Sequence, residues 1–363
     1  MDNDTSSPDR GPEPSEQRDP EGDTHADETR TRRTLHGISS RSWEHPADRA
    51  ALQALRRVPV FDQVLKRLFG VFGEKPVRLA FQANAVQVSP RQFPEIHRIH
   101  EAVLETLDAD RETPLFISQN PVVNAGAYGM ERPFILLNSG LVRLLNEEEL
   151  RYVLAHEVGH VKSGHVLYRT MMALLIQLAQ RGFPIVGLGA RAVMPALLEW
   201  YRRSELSSDR AGLLGVQDPD VVFGAMLKMA GGGRSEETNL SEFLRQAEDY
   251  AESEDVADSV FKILNLLGTT HPFYVLRVAE LRKWIEGGEY DRILRGDYTR
   301  EGESDPAYLD DLAAAAKAYS EDLRDVVDDV AQAARRVRDS IVQGFGEAFE
   351  QASDREPRRR RDE

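Results

Sequence analysis

The chain has 363 residues, 41% of them hydrophobic, a formal charge of −15 and no cysteine. Length and apolar content suffice for a sizeable core in one large domain or two smaller ones. The lack of cysteine excludes disulfides, thiolate metal sites and a cysteine nucleophile and suits a reducing compartment such as the cytoplasm, while the acidic balance argues against a nucleic-acid partner.

Residues 1–40 are rich in Asp, Glu, Pro, Ser, Thr and Arg, and no Leu, Ile, Val or Phe precedes Leu35, so this head is expected to be disordered. It has no apolar stretch of the kind a secretory signal needs. Residues 41–300 read as the folded domain. Ala51 to Phe72 carries a helical apolar period interrupted by Pro59, strand-like runs follow at Val77–Phe81 and Ala85–Val88, and Pro90 opens a further helix to about Leu107. From Pro114 to Leu137, β-branched and aromatic residues between Gly and Pro breaks predict two or three strands.

Directly after them comes a well-marked helix. Asn146 followed by Glu147, Glu148 and Glu149 matches an N-cap with an acidic first turn and a capping-box carboxylate. Leu150, Val153, Leu154, Val158 and Val161 then recur at helical spacing. Mid-helix stands His156-Glu157-Val158-Gly159-His160. Residues four apart share a helical face, so both imidazoles can reach one ion at the Zn–N distance of about 2.0–2.1 Å. Glu157 then lies beside the metal, placed to take a proton from water that the ion acidifies.

Two histidines do not close a catalytic zinc site, and without cysteine the third ligand must be His, Asp or Glu. Glu205 is the candidate, with Asp209 one turn later to accept the far N–H of a ligand histidine. Among 61 acidic residues the sequence pattern alone does not force that choice. The other histidines read as ordinary. His165, five residues after His160, should turn away from the ligand face; His97 and His100 form a helical pair without a carboxylate motif; His25, His36 and His45 lie in or near the head.

Thr170 to Glu199 is strongly apolar, but Arg181, Arg191, Gly182, Pro184 and Pro195 break it below the length of about 20 residues that a spanning helix requires. Two buried helix segments are expected, with peripheral membrane contact the less favoured reading. After Asp218-Pro219 a helix should end at Gly231-Gly232-Gly233, an acidic stretch follows around Glu248 to Asp258, and another helix runs from about Val275 to Trp284. Residues 301–352 read as a separate helical appendage. From Leu309 to Val337 apolar or small side chains alternate at three and four, a heptad seam that suits a homo-oligomer or a long helix laid on the protein's own core. Residues 353–363, including Arg358 to Arg361, read as a charged disordered tail.

The segments NAGA (Asn124 to Ala127), NSGL (Asn138 to Leu141), EEELRYVLAHEVGHVKSGH (Glu147 to His165), SELSSDRAG (Ser204 to Gly212) and HPFYVLR (His271 to Arg277) together resemble the HtpX and CAAX prenyl protease family over roughly residues 75 to 285. The resemblance implies an α+β, predominantly helical zincin-type domain with a small sheet beside the motif helix. It implies a gluzincin endopeptidase holding one zinc ion per chain through His156, His160 and Glu205, with Glu157 as base and Asp209 behind a ligand ring. His271 would hydrogen-bond the oxyanion, Arg277 would be a supporting cation, and the strand at Asn124, Ala125, Gly126 and Ala127 would receive the substrate as an added strand. Gly126 departs from the family, which usually carries a larger residue there. The expected partners are protein or peptide substrates, in exposed or unfolded segments and in a quality-control setting. The alternative is a latent or catalytically idle zinc-binding module that acts through its C-terminal helix.

Overall fold

The structure, a computed structural model, describes residues 32–58, 61–180, 187–233, 237–252 and 273–303. His271, the heptad appendage and the charged tail lie outside the described residues. The broken helical pattern before Phe72 forms α1 (Pro46–Arg56) and α2 (Phe61–Phe72). α1 starts before the apolar pattern because His45 caps it, Nδ1 accepting from the Ala47 N–H at 3.1 Å, and Pro46 sits where a missing N–H leaves no bond unmade.

The strand expected at Val77–Phe81 is instead part of a helix, α3 (Glu74–Gln82). Only Val77 is buried there and Leu79 is 56% exposed, so the run offers no apolar face for a sheet, and Pro76 falls in the first turn, where a helix tolerates it. The next helix, α4 (Pro94–Thr106), begins at the second proline and not at Pro90. Reciprocal backbone bonds between Ser89 and Gln92 close a turn over the first one. The head boundary also shifts, since Leu35 and Ile38, assigned above to a disordered segment, are completely buried in the core.

Strands β1 (Ala85–Gln87), β2 (Leu115–Ser118), β3 (Ala125–Tyr128) and β4 (Phe134–Asn138) make one sheet in the order β1-β2-β4-β3. β2 and β4 run parallel, the other pairs antiparallel, and β3 is an edge. The short α5 (Ser139–Leu144) then leads into α6 (Glu147–Lys162), which carries the motif. Its capping box is complete: Asn146 Oδ1 accepts from the Glu149 N–H at 2.9 Å, and Glu149 returns the bond to the Asn146 N–H at 2.8 Å. Beyond it come α7 (Val166–Gln180), α8 (Gly187–Val216), α9 (Pro219–Gly231), α10 (Leu240–Glu252), α11 (Tyr274–Glu286) and α12 (Glu289–Leu294). α9 ends as its glycines predict, with Gly232 left-handed at φ 75°.

Two apolar clusters organise these elements. The larger joins the sheet, α4, α6, the second half of α8, α9 and α11. The smaller packs Leu55 and Phe61 from the first two helices on Met171, Leu175, Leu197 and Trp200 from α7 and α8. That second cluster is where the described apolar residues of 170–199 are buried. Among the described residues no helix is long and apolar enough to cross a membrane.

α6 and α8 cross at close range through small residues. A Cβ on Gly159 would lie 2.5 Å from Ala211 Cβ, and one on Gly215 would lie 2.3 Å from Ala155 Cβ. This approach lets carboxylates on α8 reach imidazoles on α6.

His100, the buried member of the α4 pair, is 4% exposed, and burial lowers its pKa to about 4, with a smaller contribution from His97. The ring is thus neutral in the folded chain but protonated below about 6.5 when unfolded. Its contribution to stability is therefore complete above pH 6.5 and falls away as pH drops toward 4, by about 3 kcal/mol. His100→Leu should flatten that part of a stability-versus-pH curve measured by urea unfolding; an unchanged slope between pH 6.5 and 4 would contradict the assignment.

Candidate active site

His156, Glu157 and His160 project from the middle of α6 into the contact with α8 and are 5%, 3% and 0% exposed. Glu205 and Asp209, one turn apart on α8, meet them and are each 1% exposed. His156 Nε2 and His160 Nε2 stand 3.2 Å apart; His156 Nε2 is 3.5 Å from Glu205 Oε2 and His160 Nε2 is 3.3 Å from Glu205 Oε1. Ligands at about 2.05 Å from one tetrahedral zinc are separated by about 3.3 Å. Among the described residues, these three form the only cluster of His, Asp and Glu groups arranged to hold a metal ion.

Behind the first imidazole, Asp209 Oδ1 lies 3.0 Å from His156 Nδ1 and also accepts from Tyr152 Oη at 2.7 Å. Arg277, from α11, donates through Nε to Asp209 Oδ2 at 2.8 Å and through Nη2 to Oδ1. Burial opposes ionisation of Asp209, but the Arg277 guanidinium and His156 hold its carboxyl below the usual range. Burial likewise opposes a charge on His156, yet hydrogen bonds to Asp209 and Glu205 raise its pKa to about 9. A metal ion held by this ring would have to displace that proton.

Glu157 is held differently. Burial pushes its carboxyl up against the pull of Arg169 and His156, and the Ala127 backbone N–H bonds to it. Its Oε2 has no hydrogen-bond partner among the described residues. Glu157 lines a cleft together with Asn124, Ala125, Glu205, Tyr274 and Arg277, and its Oε2 lies 3.9 Å from Arg169 Nη2.

The edge strand supplies the other wall. Asn138 N–H bonds to Asn124 O, which makes 124/138 a hydrogen-bonded pair and puts 126/136 and 128/134 in the same class. The backbone groups of Ala125 and Ala127 therefore point away from β4. The Gly126 departure has a steric reason: a Cβ there would fall 2.5 Å from Tyr128 Oη and 2.6 Å from its Cζ, because the Tyr128 side chain lies over that face. Tyr128 in turn stacks on Phe81 at 4.5 Å.

Residues 90–285 match the family model described as Peptidase family M48. The chain belongs to this family. The M48 chain is 33% identical over 264 residues to a plastoglobule-localized metallopeptidase 48, chloroplastic, from Arabidopsis thaliana, a match covering 71% of this chain and 76% of that protein. A Protease HtpX homolog from Pyrococcus furiosus is 38% identical over 95 residues, only 25% of this chain and 32% of the relative. Another, from Burkholderia mallei strain SAVP1, is 23% identical over 239 residues, covering 57% and 80%. No solved structure matches. The family membership makes the chain a metallopeptidase, a hydrolase of protein substrates, on an α+β, mostly helical fold.

Three site neighbours escaped the sequence reading of this M48 chain. His165 does not turn away: its Nδ1 lies 3.0 Å from His160 Nδ1, and its Nε2 is 3.1 Å from Asp48 Oδ2 on α1. α6 stops at Lys162 and Gly164 takes φ 70°, so the five-residue helical count no longer applies. Arg169 on α7 donates through Nη1 to His160 Nε2 at 2.7 Å and to Glu205 Oε1 at 2.6 Å, with its Cζ 4.5 Å over the Tyr201 ring. An arginine four residues after His165, on the helix that follows the motif, was the available signal.

Proposed function

We propose that this chain is a zinc endopeptidase in which His156, His160 and Glu205 hold the ion and Glu157 is the base. The observation that carries the reading is the separation of the three ligand groups, which fits one tetrahedral ion, with a buried carboxylate oxygen beside them that accepts no hydrogen bond among the described residues and lies 3.9 Å from the Arg169 guanidinium. When bound, zinc would supply the Lewis acidity that polarises a scissile carbonyl and acidifies water.

The remaining steps belong to the chain. An extended substrate adds to β3 through the outward backbone groups of Ala125, antiparallel or parallel, giving recognition by main chain with little demand on side chains. Exposed or unfolded segments meet that requirement, which is the support for a quality-control role. Glu157, oriented by the Ala127 N–H and raised by burial, takes the water proton and passes it to the leaving amine. Asp209 fixes the ring of His156, and Arg277 holds Asp209 ionised. His271 is assigned the oxyanion bond on the resemblance of HPFYVLR alone. Arg169 imposes one condition: the lone pair on His160 Nε2 that it occupies is the one zinc needs, so Arg169 must release that bond when the ion is held.

Glu157→Gln keeps the three ligands and removes the base. Cleavage of an unfolded protein should fall by about 10²–10⁴-fold with bound zinc unchanged, and a chelator should abolish cleavage by the unsubstituted chain. Zinc in both proteins with cleavage in neither would remove the endopeptidase reading; zinc in neither would remove the metal site.

A further inference from the structure

Each of the two histidines on α6 backs onto a carboxylate, but by different routes. His156 meets Asp209 directly, whereas His160 meets His165, and His165 meets Asp48. Asp48 and His165 are each 2% exposed. An ionised carboxylate only accepts hydrogen bonds, so His165 must carry its proton on Nε2, 3.1 Å from Asp48 Oδ2. Its Nδ1 must accept, because Arg169 donates to His160 Nε2 and so leaves the proton of His160 on Nδ1, facing His165. To bond across the 3.0 Å gap, His160 must carry its proton on Nδ1, which leaves Nε2 free to ligate.

Two further contacts agree with this order of protons. A guanidinium has donors and no acceptor, and Arg169 points Nη1 at His160 Nε2, so that atom is the acceptor of the ring. The relay itself is fixed from outside. Ser207 Oγ donates to Asp48 Oδ2 at 2.5 Å and accepts from the His45 N–H at 2.9 Å, tying the start of α1 to α8 two residues from Glu205. Trp200 stands edge-on to the His165 ring, with centroids 5.6 Å apart at 81°.

We infer that Asp48, acting through His165, is a positioning residue that sets the tautomer of His160 and so makes its Nε2 available to the metal. The inference rests on the proposed ligand role of His160, and Asp48 lies outside residues 90–285 that match the family. It predicts that α1 belongs to the metal centre and does not merely cover it.

The test uses the full chain carrying Glu157→Gln to prevent self-cleavage. Long-range nitrogen–proton NMR correlations of the histidines, recorded with and without zinc, should show His165 protonated on Nε2 and His160 on Nδ1 in both states. Zinc affinity by chelator competition is then compared for Asp48→Ala, His165→Asn and the double variant; the Asn carbonyl can still accept from His160 Nδ1–H. Asp48→Ala alone should weaken zinc about 10–100-fold, His165→Asn only a few-fold, and adding Asp48→Ala to His165→Asn should change nothing further. Equal weakening by Asp48→Ala in both backgrounds would reduce Asp48 to a structural role and overturn the inference, as would His165 protonated on Nδ1. Should Asp48→Ala not fold, the NMR assignment decides alone. A chain that binds no zinc yet shows the stated tautomers would end the metal reading and leave the relay standing.

Discussion

Arg277→Met should lower stability by about 3–5 kcal/mol, because it strands a buried carboxylate. Asp209 is 1% exposed and Arg277 5%, and their two-point pair is shielded from water. Methionine retains much of the apolar stem, so the loss measures the charge more than the packing. Tyr152 and His156 remain as partners, but the first is neutral and the second must give up its extra proton to bind a metal. Arg277→Met should therefore also weaken zinc binding, through the ring that Asp209 orients. Urea unfolding of the metal-free protein reads the first effect and chelator competition the second. Arg277→Lys should recover part of the stability, since it restores the charge without the paired geometry. A wild-type unfolding midpoint for Arg277→Met would show that the pair adds nothing.

The legible parts of this molecule are the local ones. Asn146 to His160 could be read as a capped helix bearing two imidazoles because cap, apolar period and motif all lie within one element, and the structure has each of them there. The strands between Pro114 and Asn138 were legible for the same reason. Val77–Phe81 misled because five apolar-rich residues fit either state, and only the absence of a covering layer over Leu79 decides for helix. His165 misled because the helical count was carried past the end of the helix. Gly164 reverses the chain, and the His165 N–H bonds back to His160 O at 3.0 Å, which returns the imidazole to the ring it follows. Asp48 comes from α1, and no spacing rule links it to α6; Arg169, on α7, had only its place four residues after His165 to mark it.

Tertiary approach, not motif spacing, thus brings the two carboxylates of α8 to the imidazoles of α6, and it makes the strongest steric prediction. Gly215→Val should separate the helices where a Cβ already falls 2.3 Å from Ala155 Cβ, next to the ligand helix turn that starts at His156. Overpacking of this kind costs about 1–3 kcal/mol. The effect on the metal should be larger in proportion, since ligand distances tolerate only about 0.2 Å of error. Glu205 and Asp209 ride on the displaced helix while His156 and His160 stay on the other. Zinc affinity should fall by at least the ~10–100-fold that loss of a single supporting partner costs. Gly224→Ala is the control, because a Cβ there meets nothing within 4 Å in α9, and replacing a mid-helix glycine should leave affinity unchanged and stability equal or higher by up to ~1 kcal/mol. If Gly215→Val binds zinc as tightly as the unsubstituted chain, the close crossing of α6 and α8 does not set the ligand geometry.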